Sequence, residues 1–143
     1  MAEYSIREIS EMFSLPASTL RYYEEIGILT NIPRNASGNR IYQDCHINRL
    51  RAICCFKNTG MSIAQLQEFF SYERSETENL DNILHLLEDH KKSIIEKMEQ
   101  LRADYAHVLR KLHYFHAIKD SLDAHEELPN WIDYKNRDFE DDL

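Results

Sequence analysis

Thr19-Leu20-Arg21-Tyr22-Tyr23-Glu24-Glu25-Ile26-Gly27, followed eleven residues later by Gly38-Asn39-Arg40-Ile41-Tyr42, is the stretch on which the fold of this 143-residue chain turns. With Ser18 in front of it, the first run packs a cation, two phenols and two hydroxyls into two helical turns. It follows directly on a break at Ser14-Leu15-Pro16. In the second run Arg40 and Tyr42 stand at i, i+2, so both project from one face of a strand. Groups that donate to phosphate on a short helix, with a second such set on a hairpin, predict a winged helix-turn-helix.

Working outward, Ser5-Ile6-Arg7-Glu8 has the Ser-x-x-Glu form of a capping box. Ile6, Ile9 and Phe13 give the apolar stripe of a first helix over about 5–13. Pro16 suits the first turn of a second helix, about 16–25, which Gly27 ends. Leu20, Tyr23 and Ile26 face inward on that helix, leaving Ser18, Thr19, Arg21 and Tyr22 toward solvent or DNA. Residues 28–42 read as a hairpin, the wing, with the polar tip Arg34-Asn35-Ala36-Ser37-Gly38-Asn39 between β-prone segments. A third helix over about 44–58 carries Ile47, Leu50, Ile53 and Phe56 and stops at Gly60. A second capping box, Ser62-Ile63-Ala64-Gln65, opens a fourth helix at about 62–71.

From about 78 to 120 there is neither Gly nor Pro. Leu80, Leu84, Leu87, Lys91, Ile94, Met98, Leu101, Tyr105, Val108, Leu112, Phe115, Lys119 and Leu122 run in unbroken steps of four and three. Eleven of the thirteen are apolar, a heptad repeat sustained over six heptads. A helix of ~40 residues is ~60 Å long and cannot bury such a seam alone. The simplest partner is the same helix of a second subunit, and the competing arrangement folds the helix back on its own domain. The expected organisation is residues 1–75 as a winged helix-turn-helix domain, 76–122 as a coiled-coil dimerisation helix, and 123–143 as a short acidic tail, docked or frayed. The fold class is mainly α.

The net charge of −8 is unevenly spread. Residues 1–75 hold eight Lys/Arg and eight Asp/Glu, whereas 76–143 hold nine and seventeen. Nucleic acid can therefore approach only the N-terminal half, which is neutral, so its contacts must work by placement or by doubling in a dimer. No run approaches the roughly 18 apolar residues of a membrane span, and no signal-peptide pattern opens the chain, which predicts a cytoplasmic protein. Cys45, Cys54 and Cys55 are an odd count without paired spacing, as expected of reduced thiols.

Residues 4–70 resemble the DNA-binding domain of the MerR family of bacterial transcription regulators. The likeness lies in Thr19-Leu20-Arg21-Tyr22-Tyr23-Glu24, Gly27, Gly38-x-Arg40-x-Tyr42 and Thr59-Gly60-Met61-Ser62-Ile63. It implies a homodimer with an antiparallel coiled coil on a pseudo-palindromic operator, bending and untwisting promoter DNA for RNA polymerase, with no catalytic activity. Within that frame Arg21 suits a phosphate or guanine, since its guanidinium makes paired hydrogen bonds. Tyr22, Arg40 and Tyr42 suit phosphates, and Ser18 and Thr19 suit base or backbone contacts. Arg34, Asn39 and Lys57 complete the candidate DNA-binding set. The competing reading of Arg21 is a surface ion pair with Glu24 or Glu25, and Tyr23 reads as core.

Metal sensors of this family place Cys at the start of the dimer helix and in a loop after it. Here Glu78 and Asn79 stand at that start, and no Cys follows residue 55. No metal or other cofactor is therefore expected. What is left resembles the short AdhR/NmlR-type branch, responsive to aldehydes and electrophiles, whose characteristic Cys falls at Cys55. Lys57 and Arg51 nearby favour its thiolate. The competing reading is a small core filler. His113 and His116, at i, i+3, read as aromatic helix surface rather than metal ligands. Two other classes stay open: an enzyme using Cys55 and a His, and a coiled-coil protein-interaction module. A small-molecule effector held where the dimer helix meets the DNA-binding domain is a further alternative.

Overall fold

The computed structural model describes residues 2–140 and is built mainly of helices. In chain order it has β1 (Glu3–Tyr4), α1 (Ile6–Phe13), α2 (Ala17–Glu25), β2 (Tyr42–Gln43), α3 (Asp44–Asn58), α4 (Ile63–Glu73), α5 (Leu80–Asp123) and a 3₁₀ turn at Trp131–Asp133. Two compact units result, one up to Lys91 and one from Lys92 onward.

In the first unit the helix ends follow from local chemistry. Ser5 Oγ accepts from the Glu8 N–H while the Glu8 carboxylate accepts from the Ser5 N–H, and Ser62 and Gln65 repeat this reciprocal cap on α4. Gly27, at φ +82°, ends α2: Ile28 N–H donates to Tyr23 O and Gly27 N–H to Glu24 O. Gly60, at φ +99°, ends α3 with the same pair of bonds, Met61 to Phe56 and Gly60 to Lys57. Both are six-to-one and five-to-two closures that need a left-handed residue just past the helix. Ile9, Leu20, Tyr23, Ile28, Leu29, Leu50, Ile53 and Leu66 form the centre of the core. Ile83, Leu86 and Leu87, from the first turns of α5, pack against it.

The wing is smaller than expected. Instead of a hairpin over 28–42, the only pairing there among the described residues is an isolated antiparallel bridge between Arg34 and Arg40. Pro33 supplies no N–H to a ladder, though its carbonyl accepts from Ile41, and Asn31 sits at φ +59°, which breaks the extended run. The tip is organised by Asn35, whose Oδ1 accepts from Ser37 N–H (3.0 Å) and Asn39 N–H (2.9 Å). β2 pairs with β1 at the N-terminus, Tyr4 opposite Tyr42, a long-range pairing with no local signal. Buried His46 accepts from Gln43 N–H through Nδ1 (2.9 Å) and donates from Nε2 to Asn31 O (3.0 Å), tying the start of α3 to the segment that leads into the wing. Arg49 donates from Nε to Ile28 O (2.8 Å) and lies over the Phe70 ring. Burial lowers its pKa, and the Glu73 carboxylate 3.6 Å away opposes that shift.

The second unit is most of α5 with the tail folded back along it. Trp131 meets His107 and Tyr114 edge-on, Lys111 Nζ lies 3.8 Å from the Trp131 ring centre, and Phe139 stacks on His113 at 3.8 Å. Arg110 fixes the strap's end through Arg137 O (2.9 Å) and the Asp138 carboxylate (3.1 Å). The tail is thus docked on α5 through His107, Arg110, Lys111, His113 and Tyr114. α5 closes with left-handed His125, Glu126 N–H bonding to Ser121 O. The heptad stripe itself stays open: Met98, Leu101, Val108, Leu112, Phe115 and Leu122 are each between 48% and 70% exposed.

Candidate nucleic-acid interface

The outer face of α2 is built by exclusion. Leu20 and Tyr23 point into the core, so the 3.6-residue period turns Ser18, Arg21 and Tyr22 outward. Thr19 is half-buried at the edge of that face. Tyr23 cannot rotate freely, because Lys57 Nζ on α3 donates to its hydroxyl (3.1 Å) and lies over its ring. The helix that presents Arg21 is thereby held from behind.

Arg21 is exposed and has no ion pair or hydrogen bond among the described residues, so the expected competitor, a bridge to Glu24 or Glu25, does not form. Glu24 is taken by Arg40, whose Nε lies 2.6 Å from the carboxylate. A cleft of about 540 Å³ opens beside this pair, between the start of α1, α2 and the wing. Arg7, Arg21, Asn39 and Arg40 line it. Three of the candidate residues, from two elements, therefore meet at one concavity, whose lining sets Arg7, Arg21 and Arg40 against Glu3 and Glu8. Arg34 is exposed at the wing and donates to Gly38 O (3.1 Å). Lys57 is exposed but engaged with Tyr23, and it does not line the cleft.

Tyr42 requires a correction. Expected to reach phosphate, it is fully buried, edge-on to His46, and its hydroxyl has no hydrogen-bond partner among the described residues. The i, i+2 argument does put Arg40 and Tyr42 on one face. That face turns inward: Tyr42 joins the core and Arg40 meets Glu24 of α2. Burial raises the Tyr42 pKa, and the Arg40 guanidinium opposes the shift.

Missed in the sequence were Arg7, Glu3 and Glu8 as lining of the cleft, and Glu24 as the partner of Arg40. Glu24 lies three residues from Arg21 in α2, but no local pattern links it to a residue sixteen positions on.

Of the thiols, Cys45 and Cys55 are exposed on α3 and Cys54 is half-buried. Burial pushes the Cys54 thiol up, with Lys57 pulling it back. The Cys55 carbonyl accepts from Thr59 Oγ1 (2.8 Å), and that hydroxyl also lies 2.7 Å from His90 Nε2 on α5. Among the described residues no group of three or more His, Cys, Asp or Glu is placed to hold a metal ion. No helix there is long and apolar enough to cross a membrane.

Comparisons with known proteins agree with this architecture. Residues 4–73 match the family described as MerR HTH family regulatory protein. The chain is 32% identical over 92 residues to the HTH-type transcriptional regulator AdhR of Bacillus subtilis, spanning 64% of this chain and 66% of that one. An uncharacterised HTH-type transcriptional regulator of Haemophilus influenzae is 29% identical over 99 residues, 69% of this chain and 73% of that protein. Among solved structures it is similar to HiNmlR, a MerR family regulator lacking the sensor domain and bound to promoter DNA. There the TM-score is 0.77 at 27% identity, covering 83% of this chain and 90% of the other. These relatives are transcriptional regulators, not enzymes. With its capped helix-turn-helix and its reduced wing, the domain at residues 4–73 belongs to the MerR family of helix-turn-helix regulatory proteins.

Proposed function

We propose that the protein binds a pseudo-palindromic promoter operator as a homodimer and distorts it in response to a stress or small-molecule signal. The observation that carries this is the convergence of Arg21 with Asn39 and Arg40 on one cleft, beside the exposed face of α2. A guanidinium without an internal partner at a surface is available to phosphate or to a guanine edge. Ser18, Thr19 and Tyr22 supply neutral donors around it, and Arg34 and Asn39 extend the set along the wing.

The dimer reading rests on the open stripe of α5. Side chains such as Leu101 (70% exposed) and Val108 (60%) gain about 25 cal/mol per Å² when water leaves them, and their heptad spacing suits a second copy of the same helix. A two-fold pair brings two copies of α2 to two half-sites, and paired wings suit DNA held in a deformed shape. In this reading residues 1–75 bind DNA, 76–122 dimerise, and the acidic 123–143 segment stays off the duplex. RNA polymerase at the promoter is the expected further partner, in the cytoplasm.

The test is selection of operator duplexes from a random pool, followed by Arg21→Ala and Arg40→Ala. Loss of binding with the dimer intact by sedimentation supports the reading, and unchanged binding rejects it. Leu101→Glu is expected to separate the subunits.

For the signal, thiol sensing of aldehydes or electrophiles at Cys55 is favoured by its exposure, beside a Cys54 whose thiolate is penalised by burial. Cys55→Ser is expected to abolish a response of promoter transcription to an added aldehyde. A response that persists in the variant removes Cys55 as the sensor.

A further inference from the structure

We propose that Glu24 is a positioning residue for DNA binding: it grips Arg40 through Nε and leaves both Nη groups set at the cleft to receive one backbone phosphate. The inference rests on the DNA-binding reading above. Three observations carry it. First, the Glu24–Arg40 contact is short (2.6 Å) and sheltered, with the side chains only 26% and 19% exposed, so water screens it weakly. Second, only Nε of Arg40 is spent. Its four Nη hydrogens have no partner among the described residues, and Arg40 lines the cleft together with unpaired Arg21. Third, Tyr42 is packed solid at the same face of the wing, two residues on, and its buried hydroxyl lies within the field of both Arg40 and Glu24.

A carboxylate next to a phosphate site repels DNA unless it does something else. What it does here is remove side-chain freedom from Arg40 before the phosphate arrives, so that less entropy is lost on binding. An arginine can serve a carboxylate with Nε and a phosphate with Nη at once, whereas a lysine is a single point charge. The geometry thus assigns Glu24 an effect on affinity opposite in sign to that of its charge.

The experiment compares variants on a duplex selected from a random pool by the wild-type protein, with a scrambled duplex as control and folding checked by circular dichroism. Glu24→Ala is expected to weaken specific binding by about tenfold per protomer, the worth of one charge-assisted hydrogen bond. The slope of log affinity against log salt should shrink by about one per protomer. Glu24→Gln keeps an acceptor for Nε and is expected to bind at least as well as wild type. In an Arg40→Ala background Glu24→Ala should cost nothing further, and Arg40→Lys should bind like Arg40→Ala. Tighter binding by both Glu24 variants would show that Glu24 is only a repelling charge. An equal loss on Glu24→Ala with and without Arg40 overturns the proposal as well. So does wild-type affinity in Arg40→Lys, which stays informative even were Glu24→Ala unfolded. A wild-type protein that enriches no duplex overturns the DNA-binding reading, and this inference with it.

Discussion

Tyr42→Phe separates two accounts of the wing. Tyr42 is fully buried, edge-on to His46 at 6.0 Å, and its hydroxyl has no partner among the described residues. A buried, unsatisfied hydroxyl costs about 1–3 kcal/mol of desolvation. Removing one oxygen leaves a void of roughly 15 Å³, which takes back about 0.4 kcal/mol. Phenylalanine keeps the ring, its packing and the β1–β2 pairing, so a net gain of about 1 kcal/mol is expected. In a unit of this size that is a rise in Tm of about 4–8 °C, read by thermal denaturation at fixed protomer concentration. The pH dependence gives the same test a second axis. Burial raises the Tyr42 pKa above the ordinary 10.0. Below pH 10 both folded and unfolded states are protonated and the shift contributes nothing. Above it the unfolded chain ionises first and holds fewer protons, so wild-type stability falls as pH rises. The phenylalanine variant lacks this loss, and its advantage should widen above pH 10. Operator affinity at neutral pH should not change. A variant that is less stable by 1 kcal/mol or more, or one of normal stability with weakened DNA binding, refutes the reasoning and returns the phenol to the phosphate.

Two further outcomes follow from the fold. Gly27→Ala is expected to cost about 1–2 kcal/mol with little steric contribution, because an added Cβ meets only Arg74 Nη2 at 4.0 Å while φ stays at +82°; Gly27→Asn should cost less, and equal costs in urea denaturation would argue against backbone strain as the cause. Trp131 is the sole tryptophan, so its fluorescence reports the strap directly. Tyr114→Ala, which removes the ring packed on both Trp131 and Tyr134, should shift the emission to the red while the helical circular dichroism stays, and an unshifted spectrum would deny Tyr114 that role.

How much was legible depends on the range of the interaction. α1 to α4 lie within two residues of their expected bounds because their caps are local: Ser5 with Glu8, Ser62 with Gln65, and glycines 27 and 60 in left-handed closures. The long α5 was legible from the heptad period and the absence of Gly and Pro. The pairing of β2 with β1 was not, since it joins residues some forty positions apart with two-residue strands. The inward turn of Tyr42 was not legible either, since it is set by the packing of the core and not by any local pattern. The strap was not decided by the sequence, which left 123–143 docked or frayed, because its seat on His107, Lys111 and Tyr114 needed the folded helix.

The same division holds at the site. Composition alone placed the neutral half against DNA, and the spacing of Arg21 and Tyr22 against Leu20 and Tyr23 chose the outward face of α2, because a helix has one period and its core side is apolar. Which cation is free and which is held was settled only by the tertiary structure. Glu24 has Arg21 within one turn of its own helix, and it is the docking of wing on helix that brings Arg40 to 2.6 Å and leaves Arg21 unpaired. An ion pair is decided by distance in space, and sequence carries that distance only within a turn or two of helix.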